Sequence, residues 1–593
     1  MERRGFLTGL AAGAIGWVAA GRPPATGTAP RVYAHPVRFV SAAEAAETGA
    51  SFIVNDARTA ASQATTYPQS VASGDPNPYG AVLWTRVDPS AMAPGIDTVS
   101  WQIADAAGFT AGSIIVQGSV AILSQNDNTV SLPISNTALA PFTVYYYQFI
   151  YNGVASRTGR FKTLPLATDT VTQLNVGLTN CQDYSNGFYN AYAYLAQEEL
   201  DVVVFLGDYI YEYLNDGVGG PDNGPVRVVP PYPSGAQYPT SLADYRHLYQ
   251  TYRADPNIQA AHEMFAFILL WDDHEFYNDC HQDYHPDTEP AGVTANTPQP
   301  ALRSAATQAW TEYSMAAVPF NPDLNWENEI TVYRSFSFGT LAQLVVTDER
   351  LYRDGPPCGS TEDDRYLTVG CGAQQASNRT MLGATQKSWF LDEMTQSKAN
   401  WKLWANEVML AQYKYGVFGT PAALFFDLDA WDGYEAERAN ILTSLHSDGV
   451  KNLVALSGDA HLFMASYLKT NFNSLFQAPV AVEFLTGPIS SSNYSDSLSG
   501  VPFSVPASAP GPVRKLRRSN AEPLDTLAPV VLSSNPHMQY WNGSAWGYSV
   551  LTITAKSLVC AFRAVSTVKQ DSATLSTLVT YTVPAGKVQL TQS

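Results

Sequence analysis

Cysteine is scarce, with five residues in 593, so the fold does not rest on a disulfide framework. Charged residues are also few, at 15% of the chain, and the basic ones are the smaller share. Thirty-four Lys and Arg stand against 53 Asp and Glu, a formal net charge of −19. That sign excludes a surface built mainly for nucleic-acid binding. Beyond Met1–Ala20 no apolar run approaches the roughly 20 residues that a membrane-crossing helix needs, so no stable span is expected in the mature chain. Internal repeats and low-complexity tracts are absent. What is present is 45% hydrophobic and 12% aromatic, with 33 Tyr, 12 Trp, 41 Gly and 38 Pro. Such a composition rules out a disordered or collagen-like chain and supplies a large core with many strands and long ordered loops. The acidic surplus suits a soluble protein or one that collects cations. With no signal for a partner chain, a monomer is the default expectation.

Residues 1–34 read as a label and linker. Arg3-Arg4-Gly5-Phe6-Leu7 precedes a short apolar stretch of small residues, which matches the twin-arginine export pattern better than a membrane anchor. The expected partner there is the twin-arginine export machinery, and the expected location periplasmic or extracellular. Residues 35–66 form a lead-in with few signals. Over 67–168 short apolar runs such as Ala81–Trp84, Val99–Ile103 and Phe142–Phe149 alternate with turn signals at Ser73-Gly74-Asp75-Pro76 and Tyr151-Asn152-Gly153. That pattern predicts a β-sandwich domain with a structural role. From 169 to 593 apolar runs alternate with helical segments at Asn190–Leu200, Ser241–Tyr252, Thr385–Met394 and Gly433–Ser447, which predicts an α/β domain. Cys358 and Cys371 flank a Gly- and Thr-containing loop that a disulfide could close outside the cytoplasm. Cys280 and Cys560 suggest no role.

The chemistry lies where the apolar runs stop. Leu174–Leu178 leads to Cys181 and Asp183, Val202–Leu206 to Asp208 and Tyr211, and Phe267–Trp271 to Asp272, Asp273 and His274. Leu344–Val346 leads to Arg350 and Arg353, Trp401–Trp404 to Asn406, and Leu453–Leu456 to Asp459 and His461. Ligands of α/β sheets bind beyond the carboxyl ends of the strands. One Gly-Asp there is usually a turn, but six such ends together describe a binuclear metal site. Asp208 can bridge two cations. Cys181, Tyr211 and His461 offer thiolate, phenolate and imidazole, a set suited to iron. Asp273, Asn406 and Asp459 offer hard oxygens for calcium, magnesium or manganese. Such a pair of cations activates water and clamps a phosphate. His274 stands where it could protonate a leaving alkoxide, and Arg350 and Arg353 could fork onto phosphate oxygens.

In order, Gly207-Asp208, Asp273-His274-Glu275, Asn406 and Gly458-x-x-His461 resemble the calcineurin-like metallophosphoesterases. Cys181 stands for that pattern's first Asp, Asp273 for its Asn, Asn406 for its single His, and Asp459 for the first His of its last motif. Those departures are themselves similar to the PhoD-type alkaline phosphatase/phosphodiesterase family. They are Asn180-Cys181-Gln182, Gly207-Asp208-Tyr209-Ile210-Tyr211-Glu212-Tyr213, Trp271-Asp272-Asp273-His274-Glu275 and Gly458-Asp459-Ala460-His461. Val71–Pro76, Leu83–Arg86, Asp348–Asp354 and Asn535-Pro536-His537 add to the likeness.

The resemblance implies a four-layer αββα catalytic domain preceded by a fibronectin-III-like β-sandwich, and a twin-arginine signal. It also implies Fe(III) held by Cys181, Asp208, Tyr211 and His461, and Ca(II) held by Asp208, Asp273, Asn406 and Asp459. Either Asp272 or Asp273 could turn inward, and Asp183 would lie just behind the ligands. The implied activity is hydrolysis of phosphomonoesters or phosphodiesters at alkaline pH, by direct attack of a metal-activated water or oxo group. A phospholipase D or cell-envelope phosphodiesterase is the alternative within that chemistry. A non-enzymatic surface protein using cations only to stiffen its loops is the alternative outside it.

Overall fold

Val202–Leu206 (VVVFL), Ala266–Leu270 (AFILL) and Leu453–Ser457 (LVALS) are buried at every position, as parallel strands covered on both faces must be. The computed structural model describes residues 57–215, 217, 224–285, 296–416, 424–498 and 527–593. The twin-arginine segment and the lead-in up to residue 56 lie outside these, while the end of the lead-in is a helix, Ala57–Thr66.

The strands up to the first catalytic sheet are β1 Val71–Asn77, β2 Gly80–Arg86, β3 Thr98–Ala104, β4 Ile114–Ala121, β5 Thr129–Pro133, β6 Val144–Tyr151, β7 Val154–Ala155, β8 Gly159–Lys162, β9 Gln173–Thr179, β10 Val202–Leu206 and β11 Ala266–Leu270. A ten-stranded sheet runs from four C-terminal strands, which end with Trp546–Thr554 beside β9, through β10, β11 and β1 to β2 and β5. A seven-stranded sheet centres on Ala342–Val346, Trp401–Ala405, Leu453–Ser457 and Ala481–Leu485, all mutually parallel.

Alternation along each strand sorts the layers. Val204 and Ile268 share a core with Leu344, Leu403 and Val454 of the other sheet, so the two sheets face each other. The opposite positions, Val203, Phe205, Phe267 and Leu269, pack with Tyr192, Leu248, Ile258 and Trp310 of helices outside the first sheet. Val345, Trp404 and Ala455 pack with Phe390, Ile441 and Leu445 of helices outside the second. The order is αββα. Among the described residues no helix is long and apolar enough to cross a membrane.

The N-terminal strands form a sandwich, but one of its layers belongs to the catalytic sheet. β3, β4, β6, β7 and β8 make a separate five-stranded sheet. Val99, Ile103, Tyr147 and Phe149 of that sheet pack on Val71, Ala81, Leu83 and Val130 of β1, β2 and β5. β1 in turn pairs in parallel with β11, Ser73 opposite Ala266 and Gly74 opposite Phe267. Residue 168 therefore divides the chain without dividing the sheet.

Ser73-Gly74-Asp75-Pro76, which reads as a turn, lies inside β1. Its turn-forming residues serve a register shift between Gly74 and Asn77. Asp75, at φ 37°, accepts two 2.8 Å bonds from Arg334 of the second sheet. A Cβ at Gly74 would stand 2.5 Å from the Phe267 carbonyl oxygen and 2.6 Å from Met315 Cβ. Gly74→Ala is therefore expected to lower stability by about 1–3 kcal/mol through forced backbone displacement. Urea unfolding checks it; an unchanged midpoint would mean that the β1–β11 seam yields freely.

Candidate metal centre

Register puts the predicted ligands at one level. Phe205 pairs with Thr179 and Leu206 with Leu270, so Cys181, Asp208 and Asp272 leave three adjacent strands together. Ala405 pairs with Leu456, which carries Asn406 and Asp459 out side by side from the facing sheet. Cys181, Asp208, Asp459 and His461 all take left-handed backbone angles, φ 51°, 61°, 63° and 54°. Non-glycine residues rarely do so, and at strand ends such geometry marks sites where strain serves function.

Glu275 ties two of these ends. It accepts the amide N–H of Asp208 (3.2 Å), Tyr209 (2.6 Å) and Asp272 (2.7 Å). Burial, followed by the nearby Asp208 charge, pushes its carboxyl up to about 8. Cys181, Asp208 and His461 each bring a ligand atom within 4.8 Å of the others; so do Asp208, Asp273 and His274, and likewise Asp272, Asp273 and Asp459. Asp208 belongs to the first two groups. Its Oδ2 accepts the Tyr211 hydroxyl at 2.9 Å, and its buried Oδ1 has no hydrogen-bond partner among the described residues. The Tyr211 hydroxyl also lies 3.1 Å from His461 Nε2. Burial, then the charge of Asp208, pushes both the Cys181 thiol and the Tyr211 hydroxyl well above their ordinary values, so both hold their protons in the protein alone.

Asn406 is fully buried, donates to Ser457 Oγ at 2.7 Å and accepts the Trp431 indole N–H at 3.0 Å. Asp272 keeps its buried Oδ2 without a partner, whereas Asp273 accepts the amides of His274 (3.0 Å) and Asp279 (2.5 Å). Burial pushes Asp272 and Asp459 well above the usual carboxylate range. For Asp273 the Arg350 charge, with that of His274, outweighs burial and holds the carboxyl low. The side chains of Asp459 and His461, 19% and 18% exposed, are where this otherwise buried set meets solvent.

His274 stacks on Tyr211, ring centroids 4.1 Å apart, and its Nδ1 meets Glu212 Oε2 at 2.6 Å. Burial opposes a charged ring, yet Glu212, Asp208 and Asp273 outweigh it and raise the imidazole well above its ordinary value.

The arginines are not open to substrate in the way the sequence suggested. Arg350 is fully buried and bonded to Asp272 and Asp429, with Asp459 at 3.3 Å and Asp273 at 3.7 Å. It is the counter-charge of the cluster rather than a free fork for phosphate. Arg353 lies behind it, on Asp429 (2.6 Å) and the carbonyls of Asp279 and Cys280. Asp183 lies outside the grouped ligands and accepts the amide and hydroxyl of Ser185 at 2.7 and 2.9 Å.

Glu212, Glu275, Asp279 and Asp429 also touch the cluster and were not singled out in the sequence, although Glu212 and Glu275 sit inside the motifs. Asp273, Asp279 and Asp429 also approach one another. Arg350 and Arg353 neutralise Asp429, and Arg365 pairs with Asp279 at 2.5 Å, so that group is already compensated. Cys358 and Cys371 form a disulfide, Cα atoms 5.5 Å apart; Cys280 and Cys560 are buried free thiols.

The chain that carries these donors on two facing sheets is similar to known proteins along most of its length. The PhoD-like phosphatase family matches residues 176–562, and the PhoD-like phosphatase N-terminal domain matches 53–165. Alkaline phosphatase D of Bacillus subtilis (strain 168) is 30% identical over 520 residues, which cover 86% of this chain and 79% of that protein. A solved structure of PhoD superimposes with a TM-score of 0.75 at 28% identity, covering 89% of this chain and 92% of the other. The chain belongs to the PhoD-like phosphatase family. It is accordingly a phosphoesterase with the mixed α/β fold of that structure.

Glu275→Gln would place an amide NH2 against at least one backbone N–H that now finds an oxygen. It is expected to cost about 1–3 kcal/mol of stability and to reduce bound metal in the purified protein. Metal content and stability both equal to wild type would remove Glu275 from the support of the centre.

Proposed function

We propose that this protein is an exported phosphoesterase of alkaline optimum that works with Fe(III) and Ca(II) on phosphomonoesters or phosphodiesters. Iron would be held by Cys181, Asp208, Tyr211 and His461, and calcium by Asp208, Asp273, Asn406 and Asp459. Asp272, with its unpartnered oxygen, is the neighbouring donor best able to join them. The carrying observation is Asp208: it is shared by two ligand groups and has one buried oxygen with no hydrogen-bond partner. A buried carboxylate oxygen without a donor is costly unless a cation meets it. The donors fit the two ions by hardness, thiolate, phenolate and imidazole on one side and hard oxygens on the other. Export is supported by Arg3-Arg4 and by the Cys358–Cys371 disulfide, a bond suited to an oxidising compartment. The location would be periplasmic or extracellular.

When bound, the cations supply Lewis-acid polarisation of the phosphoryl group and lower the pKa of nearby water. The chain's own residues do the rest. Glu212 accepts from His274 Nδ1, which fixes the ring against Tyr211, and Nε2, 3.5 Å from the Tyr213 hydroxyl, would deliver a proton to the departing alkoxide. Arg350 holds Asp272, Asp429 and Asp459 in fixed positions and offsets part of their repulsion. Asp272 and Asp459, which burial pushes toward the protonated form, would give up their protons to bound cations.

Elemental analysis of the exported protein is expected to find about one iron together with calcium, and a visible band from phenolate or thiolate bound to Fe(III). Asp208→Ala should lose both metals and nearly all turnover on monoesters and diesters. A colourless wild type holding zinc or manganese would discard the iron set, and full activity in Asp208→Ala would discard the site. Glu212→Gln should lower kcat by about 10²-fold or more with little change in KM or metal content. Unchanged kcat would show that His274 does not act through its Glu212 bond.

A further inference from the structure

A second concave feature lies apart from the ligand cluster. It is a cavity of about 890 Å³, within the range of small-molecule sites. None of the proposed metal ligands lines it. Its walls carry five aromatic rings, Tyr284, Phe320, Trp326, Tyr333 and Tyr352. Tyr333 stands at 68° to Tyr352 with centroids 5.8 Å apart, and Trp389 backs it at 4.8 Å, so two phenol faces form a corner. The charged groups are all acidic: Asp283, Glu327, Glu329 and Asp354. No Lys, Arg or His is among the described residues that line it. Glu329 is 2% exposed; its Oε2 accepts from Ser304 Oγ at 2.8 Å, and its buried Oε1 has no hydrogen-bond partner among the described residues.

We propose that this cavity is a second binding site, for an organic cation: an ammonium or quaternary ammonium group on an apolar body. Four carboxylates and no cation repel a phosphate ester, so the cavity is not an extension of the phosphate site. A wholly apolar occupant would leave Glu329 Oε1 without a partner. A cation satisfies both parts of the wall, because ring faces attract positive charge through their quadrupole and the carboxylates attract it directly. An alkylammonium group also carries the apolar surface that Phe320 and Trp326 can cover.

The test is isothermal titration calorimetry of the full chain with choline and with its uncharged isostere, in which carbon replaces the quaternary nitrogen. Choline is expected to saturate one site and to bind at least about ten-fold more tightly than the isostere. Trp326→Ala and Glu329→Gln, with circular dichroism unchanged from wild type, should each weaken choline by about ten-fold. Choline affinity in Asp208→Ala should equal that of wild type. No saturable heat at millimolar choline would overturn the proposal, as would equal binding of the isostere or full affinity in both cavity variants. Loss of choline binding in Asp208→Ala would assign the ligand to the metal cluster and overturn it equally.

Discussion

Arg350 is a single buried guanidinium facing Asp272, Asp273, Asp429 and Asp459, with Asp208 and Cys181 just beyond. Carboxylates at this depth are stable only if neutralised, protonated or bound to cations. Burial outweighs the pull of Arg350 at Asp272 and Asp459, whose carboxyls are pushed toward the protonated form. The remaining architecture serves to hold that excess of negative charge in place. Two apolar sheets bury the approach to it, left-handed residues aim the donors, and Asp459 and His461 leave it open to solvent on one side.

Roles divide by distance from this charge. Glu275 uses both oxygens on backbone amides of two strand ends, so it sets where Asp208 and Asp272 emerge rather than contributing a ligand. Glu212 does for His274 what Glu275 does for the backbone, fixing one ring nitrogen while the other faces the Tyr213 hydroxyl at 3.5 Å. Arg353, behind Arg350, binds Asp429 and two carbonyls, and thereby anchors the carboxylate that anchors Arg350.

The strand ends were legible because a parallel strand buried on both faces is an unbroken apolar run, and whatever polar residue follows it is conspicuous. Cys181, Asp208, Asp273, Asn406, Asp459 and His461 stood out for that reason. Three helices were found nearly as read, Leu242–Tyr252, Gly383–Gln396 and Glu435–Ser447, whereas the one expected over Asn190–Leu200 ends at Leu195 and the helices Pro256–Met264 and Pro300–Tyr313 were not read. Long-range pairing was not legible. Ser73-Gly74-Asp75-Pro76 has turn composition, and only the Phe267 carbonyl against Gly74 and the Arg334 pair with Asp75 make it part of a strand. Arg350 and Arg353 looked like phosphate forks because sequence shows a guanidinium but not the aspartates that occupy it. Asp429 was missed because it follows Leu424–Asp427, a short strand of a small separate sheet.

The acid and thiol donors at the joined sheet edges are proposed to form a mixed iron–calcium centre that shares Asp208. Anomalous diffraction from crystals of the exported protein, recorded on both sides of the iron absorption edge, tests it most directly. An iron peak is expected among Cys181 Sγ, the Asp208 carboxylate, the Tyr211 hydroxyl and His461 Nε2. A second, non-iron ion should share Asp208 with Asp273, Asn406 and Asp459. Iron found elsewhere, or a metal-loaded active enzyme with no ion touching Asp208, would contradict it.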